Sequence, residues 1–242
     1  MHFRKELRSC SRKILACYLP LGDPLMPSDM ADIYVACGVD ILEVGFPDGN
    51  PVLDGSLVRN SMKRSLASGM TASQWRAQLS EVRHKLPYTY MVAMGYVDLS
   101  PLVASGDGEL LADAVLQVGH ASQPTSDTLQ QVAFVSTRFE EQEILAARSA
   151  TAYVMVQANE GRTGLRRSLP DENRVRIARL RKERVEVPIL LGIGISTAAQ
   201  TAKALGFGAD GVIVGSACIN AAIKGRYALS KFVRSVRDVL DA

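Results

Sequence analysis

The sequence predicts an α/β chain folded as a (β/α)8 barrel with an N-terminal helix, and three observations carry that expectation. The length, 242 residues, is close to the roughly 250 typical of such a barrel. Short apolar, strand-like runs alternate with helical periodicity along the whole chain, the mark of repeated βα units. The last two apolar runs each end in glycine: Val187–Leu191 leads into Gly192-Ile193-Gly194, and Gly211–Val214 into Gly215-Ser216. The two turns lie 23 residues apart, room for a strand end, a helix and the next strand. In these barrels the turns after the last two strands commonly grip a phosphate. Glycine lets backbone N–H groups approach an oxyanion, and the helix N-terminus that follows adds positive potential. One pair alone would read as a tight βα turn; two on consecutive units point to a phosphorylated small molecule.

The elements follow in order. Ile14–Leu19 reads as the first strand, ending in the turn Gly22-Asp23-Pro24. Ser28 is placed to cap a helix whose apolar face is Met30, Ile33, Tyr34 and Cys37, and Gly38 stops it. Ile41–Val44 is the second strand, with a long loop to Asp54. Helical segments over Leu57–Ala67 and Ala72–Lys85 flank Gly69. Strands three to six are Thr89–Gly95, Ala114–Val118, Val132–Ser136 and Ala152–Val156. The first 13 residues, rich in Arg and Lys, read as a solvated helix capping the barrel bottom. No linker or low-complexity block interrupts the chain, so residues 1–242 are read as one barrel domain. A doubly wound open sheet is the alternative, weakened because no Gly-x-Gly-x-x-Gly follows the first strand.

Composition narrows the function. Hydrophobic content of 47% with 22% charge is that of an ordinary globular protein. A net charge of +3 with only 6% aromatics argues against a nucleic-acid binder. Cys10, Cys17, Cys37 and Cys218 form no Cys-x-x-Cys pair, so they read as thiols in a reducing, cytoplasmic setting. No apolar run reaches the length of a membrane span, and no membrane association is expected.

The chemistry is expected at the C-terminal ends of the strands. Glu43 sits between Leu42 and Val44; if those two pack outward, strand alternation turns Glu43 into the barrel mouth. Burial there would raise its pKa toward the neutral range a general acid/base needs. A structural ion pair is the plainer reading, set aside because the strand is apolar. Asp54 is read as a second carboxylate over the same mouth, although alone it would be a turn residue before Gly55. No lysine stands at the C-terminal end of a strand to form a Schiff base, and His2, His84 and His120 are too scattered for a metal site. Neither a metal nor a cofactor is expected, leaving carboxylate acid/base work. Tyr96 could line the pocket. His120, after the fourth strand, is a loop histidine or a substrate contact. Thr163 and Gly164, in the loop after the sixth strand, could reach a carboxylate from a lid.

Several ordered motifs share one resemblance: Leu21-Gly22-Asp23-Pro24; Leu42-Glu43-Val44-Gly45-Phe46-Pro47 with Asp54-Gly55; Gly69-Met70-Thr71; Gly161-Arg162-Thr163-Gly164; Leu191-Gly192-Ile193-Gly194-Ile195-Ser196; and Val214-Gly215-Ser216-Ala217. From about Leu19 to Ile219 the chain resembles the tryptophan synthase α subunit family. The resemblance implies a cofactor-free carbon–carbon lyase that cleaves indole-3-glycerol phosphate to indole and glyceraldehyde 3-phosphate. It implies Glu43 as the general acid/base and Asp54 as the carboxylate that holds the indole N–H. Gly194, Gly215 and Ser216 would bind the phosphate with Gly164 nearby, Gly192 belongs to the same turn, and Tyr96 would line the pocket. The implied partners are the phosphorylated substrate and a β-type subunit. The chain departs from the family in Asp48-Gly49-Asn50-Pro51, Tyr96-Val97-Asp98 and Gly119-His120-Ala121. The first of these loops carries part of the β contact, which counts against that partnership. Two rival readings follow: a barrel repurposed for another phosphorylated substrate in specialised metabolism, and a non-catalytic protein that binds a phosphorylated ligand and regulates a partner.

Overall fold

The computed structural model describes residues 12–104, 109–118, 129–165 and 168–242. Residues 1–11 of the segment expected to form a basic N-terminal helix, and His120, fall outside them.

The strands are β1 (Ile14–Pro20), β2 (Ile41–Gly45), β3 (Tyr90–Gly95), β4 (Ala114–Gln117), β5 (Gln130–Gln131), β6 (Ala133–Val135), β7 (Val154–Gln157), β8 (Ile189–Gly192) and β9 (Gly211–Val214). The helices are α1 (Met30–Ala36), α2 (Ser56–Ala67), α3 (Ala72–Lys85), α4 (Ser100–Val103), α5 (Glu141–Ser149), α6 (Glu172–Lys182), α7 (Ala198–Gly206), α8 (Ser216–Ile223) and α9 (Arg226–Leu240). All strand pairs are parallel, in the order β5-β4-β3-β2-β1-β9-β8-β7-β6. The two ends of that order are consecutive in the chain. β5 pairs with β4 and β6 with β7, and between them the Val132 N–H still reaches the Val115 carbonyl at 2.9 Å. The fifth predicted strand, Val132–Ser136, covers only the second of these pieces: the barrel position is split at Val132, with Gln130–Gln131 facing one neighbour and Ala133–Val135 the other. That split closes the (β/α)8 barrel.

Alternation sorts the strand residues into two layers. Cys17, Leu19, Leu42, Val44, Met91, Ala93, Val154 and Val156 pack outward against the helices. Ala16, Tyr18, Ile41, Val92, Met94, Tyr153, Met155 and Ile213 fill the interior. Glu43 shares the parity of Ile41 and stands opposite Tyr18 on β1 and Val92 on β3. It points inward, as the outward packing of Leu42 and Val44 requires.

At the N-terminal ends of the strands one device occurs three times. Asp40 accepts the Leu15 N–H (2.8 Å) and pairs with Arg237 (2.9 Å). Asp113 accepts the Met91 N–H (2.8 Å) and pairs with Arg83 (2.6 Å). Asp210 accepts the Ile189 N–H (2.7 Å) and pairs with Arg181. Each carboxylate ties the start of the preceding strand to a guanidinium from a surrounding helix, satisfying backbone donors that sheet pairing leaves open.

One capping expectation is corrected. The residue at the N-terminal cap of α1 is Asp29, not Ser28, and no side chain caps this helix. The Asp29 carboxylate instead pairs with Arg226 of α9 at 3.1 Å, which draws it away from the α1 N–H groups.

Candidate active site

The mouth of the barrel holds a cavity enclosing about 590 Å³ of space, its open entrance included. Glu43 forms part of its floor and is 2% exposed. The Tyr153 hydroxyl, from the residue just before β7, donates to Glu43 Oε1 at 2.9 Å. Burial drives the Glu43 pKa up to about 7; Tyr153 opposes that rise and the nearby Asp54 charge adds to it. A carboxyl with no cation beside it among the described residues, desolvated and half protonated near neutrality, is equipped to give and take a proton.

Asp54 is 1% exposed at the end of the loop after β2. Tyr96 donates to its Oδ2 at 2.7 Å and Thr163 to its Oδ1 at 3.1 Å. Its pKa is also raised, by burial, with the two hydroxyl donors and the more distant Arg59 pulling the other way. Thr163 does more than hold this carboxylate. Its Oγ1 accepts the Gly55 N–H (2.8 Å) and its own N–H donates to the Leu53 carbonyl (2.8 Å). The loop after β7 is thereby fastened over the loop after β2. A Cβ at Gly55 would overlap the Thr163 carbonyl oxygen, so only glycine permits this approach.

The opposite side of the cavity is backbone. After β8, Ile193 takes φ +60° and Gly194 φ +105°. A β-branched residue in the left-handed region costs of order 1–3 kcal/mol and persists only where its surroundings impose it. Here the Ala158 N–H holds the Gly192 carbonyl at 2.7 Å, and the reversal turns Gly194 toward the cavity. The Ser196 N–H and hydroxyl are already taken by Gln200 Oε1 (2.7 and 3.0 Å). The N-terminus of α8 supplies the other wall, with Gly215 at its cap and Ser216 at its first position. Ser216 Oγ is buried and has no hydrogen-bond partner among the described residues. Together with the N–H groups of the first helical turn, it gives this corner donors of the kind an anion engages. Met94, Phe134, Met155, Ile193 and Val118 complete an apolar wall.

Of the residues singled out in the sequence, Glu43, Asp54, Tyr96, Thr163, Gly164, Gly194, Gly215 and Ser216 all line this one cavity. Gly192 does not: it ends β8, and a Cβ there would meet Met155 Cε at 2.8 Å, so its role is to let the interior pack. Two tyrosines escaped the sequence reading, Tyr153 and Tyr18. Both stand at inward parity in otherwise apolar strands, and that was the signal available for them.

A (β/α)8 barrel with two buried acidic groups facing glycine turns and a helix N-terminus across its C-terminal mouth has the arrangement of a barrel enzyme site. The comparisons with known proteins narrow the class. The chain belongs to the tryptophan synthase alpha chain family, whose profile matches residues 4–237. The tryptophan synthase alpha chain of Marinobacter nauticus is 30% identical over 264 residues, covering 98% of this chain and 96% of that one. That of Acinetobacter baumannii is 30% identical over 257 residues, with 97% and 94% covered. Among solved structures, tryptophan synthase subunit alpha from Legionella pneumophila superposes with a TM-score of 0.79 at 23% identity, covering 98% and 96%. A structure of Mycobacterium tuberculosis tryptophan synthase gives 0.81 at 20%, covering 99% and 96%. These likenesses fix the fold as the barrel expected from the sequence. No helix among the described residues is long and apolar enough to cross a membrane.

Proposed function

We propose that this chain cleaves indole-3-glycerol phosphate to indole and glyceraldehyde 3-phosphate. The observation that carries this reading is the opposition of Glu43, titrating near 7, to the cradle of Gly194, Gly215 and Ser216 across one apolar cavity. The substrate phosphate lies on the cradle, where Ser216 Oγ gains the partner it lacks. The indole ring lies against Met94, Phe134 and Met155, and Asp54 accepts its N–H.

Protonated Glu43 then delivers its proton to the ring carbon as the carbon–carbon bond breaks and its electron pair returns to the ring. The adjoining hydroxyl carbon becomes the aldehyde, and its O–H proton restores the Glu43 carboxyl. One proton is given and one taken, so the enzyme ends as it began, and side chains alone carry the step. Tyr153 orients Glu43, while Thr163 and Tyr96 orient Asp54.

The alpha-chain designation shared by the relatives supports a β-type partner chain. Val52, Val97 and Leu165, each about half exposed, stand on the loops after β2, β3 and β7 around the mouth, a rim that a second chain would cover. Incubation of the purified protein with indole-3-glycerol phosphate is expected to release indole, and Glu43→Gln to abolish the release. Equal turnover by the variant would sink the mechanism.

A further inference from the structure

Tyr18 is the residue of the cavity that the reading above leaves unemployed. It is 3% exposed on β1, lines the cavity, and its hydroxyl has no hydrogen-bond partner among the described residues. Its place is well defined. A Cβ at Gly215 would lie 3.5 Å from Tyr18 Cβ, whereas one at Gly45 would overlap the far end of the ring and its oxygen. The side chain therefore starts beside the anion cradle and ends over β2, two residues beyond Glu43 and on the same face. In strand register Tyr18 stands directly opposite Glu43.

Burial, with the Asp54 and Glu43 charges adding to it, holds the phenol pKa well above its usual value, so the group keeps its proton and is a donor throughout the working range. Glu43 takes its hydrogen bond from Tyr153 and Asp54 takes its own from Tyr96 and Thr163. The Tyr18 donor is thus parked beside two acceptors and engaged by neither. An unpaired buried hydroxyl is costly, and the space in front of this one is where ligand must pass from cradle to carboxylate.

We infer that Tyr18 is a specificity-determining contact that donates a hydrogen bond to a hydroxyl oxygen on the substrate's three-carbon chain, the segment between the phosphate and the bond that breaks. This rests on the reaction proposed above and adds a group to it. Tyr18 selects a hydroxylated chain over a plain alkyl chain and holds the hydroxyl beside Glu43.

The test removes one oxygen from each side. Tyr18→Phe keeps the ring that packs against Gly45 and Gly215. The probe is 3-(indol-3-yl)propyl phosphate, which has the same ring and phosphate and no chain hydroxyls. The variant is expected to lose about 10- to 100-fold in kcat/KM for indole-3-glycerol phosphate, while its inhibition constant for the propyl compound stays within about twofold of the unmodified protein's. An unchanged kcat/KM overturns the inference. So does a parallel weakening of both ligands, which would make Tyr18 a packing residue. If the unmodified protein neither cleaves the one compound nor binds the other, the proposed reaction itself fails and this inference falls with it.

Discussion

The two ends of the barrel use the same residue type in opposite ways. At the N-terminal end Asp40, Asp113 and Asp210 each meet an arginine and a strand N–H. At the C-terminal end Glu43 and Asp54 meet, among the described residues, only phenols and an alcohol. A guanidinium binds a carboxylate through charge-assisted hydrogen bonds and lends it to structure. Neutral hydroxyl donors orient a carboxyl but leave burial to raise its pKa, and its proton remains exchangeable.

Asp23 shows that the difference lies in partners and not in burial or in which end of the barrel is concerned. It sits in the turn after β1, buried, yet Arg64 grips both of its oxygens (2.8 and 2.6 Å) and Ser61 adds a bond of 2.5 Å. Burial alone would raise its pKa, but Arg64, Ser61 and the Leu25 N–H outweigh it, and the result is a lowered value. Asp23 is scaffold within the catalytic end.

The sharpest way to break this contrast is Glu43→Gln, which keeps the shape and removes the proton. Its expected cost is of order 10²–10⁴ in kcat for indole release, and the same assay on Asp113→Asn should show little change per folded molecule. Next in size is the dependence of stability on pH. Glu43 holds its proton more tightly when folded, with a pKa of about 7 against 4.5 unfolded. Between those values the unfolded chain binds fewer protons than the native one, so stability falls as pH rises from about 5 to 7. The span corresponds to an upper bound of about 3 kcal/mol, and urea titrations of Glu43→Gln should lack that slope. Asp23 acts in the opposite sense, since its lowered pKa gives stability that is lost as pH falls through the acid range.

At the bottom of the barrel, Asp113→Ala strips Arg83 and the Met91 N–H of their partner. The expected loss is about 2 kcal/mol, less than for a fully buried pair because Asp113 is partly solvated, and denaturant midpoints would measure it. The smallest effect belongs to Tyr153→Phe. Losing the donor that steadies the Glu43 carboxylate should move the high-pH limb of kcat/KM upward and lower kcat by about tenfold. A limb that stays in place would detach Tyr153 from Glu43.

Much of this was visible before any coordinates. Leu42 and Val44 flanking a lone acid, read with the period of a strand, turned Glu43 inward, and the structure agrees. Glycine at 194 and 215 marked two tight turns, and the structure brings both to the wall of the one cavity. The fifth strand was legible as a run but not as a split one, since closure at Val132 depends on two neighbours distant in sequence. Ser28 looked like a cap because local chemistry favours it; Asp29 took the place, and its pairing with Arg226, 197 positions away, decided where its side chain went. Tyr18 and Tyr153 carried only a faint signal, since an aromatic residue in an apolar strand is ordinarily core.

Alternating polarity, glycine placement and the order of motifs were enough to determine the barrel and the acids and turns at its mouth, because they are set by local backbone geometry and by a period of two. Which carboxyl would be pushed toward neutrality by burial and which would be paired with an arginine was settled only when the chain closed. That outcome depends on whether folding brings a guanidinium or a hydroxyl to each acid, and the partners arrive from strands and helices far away along the sequence.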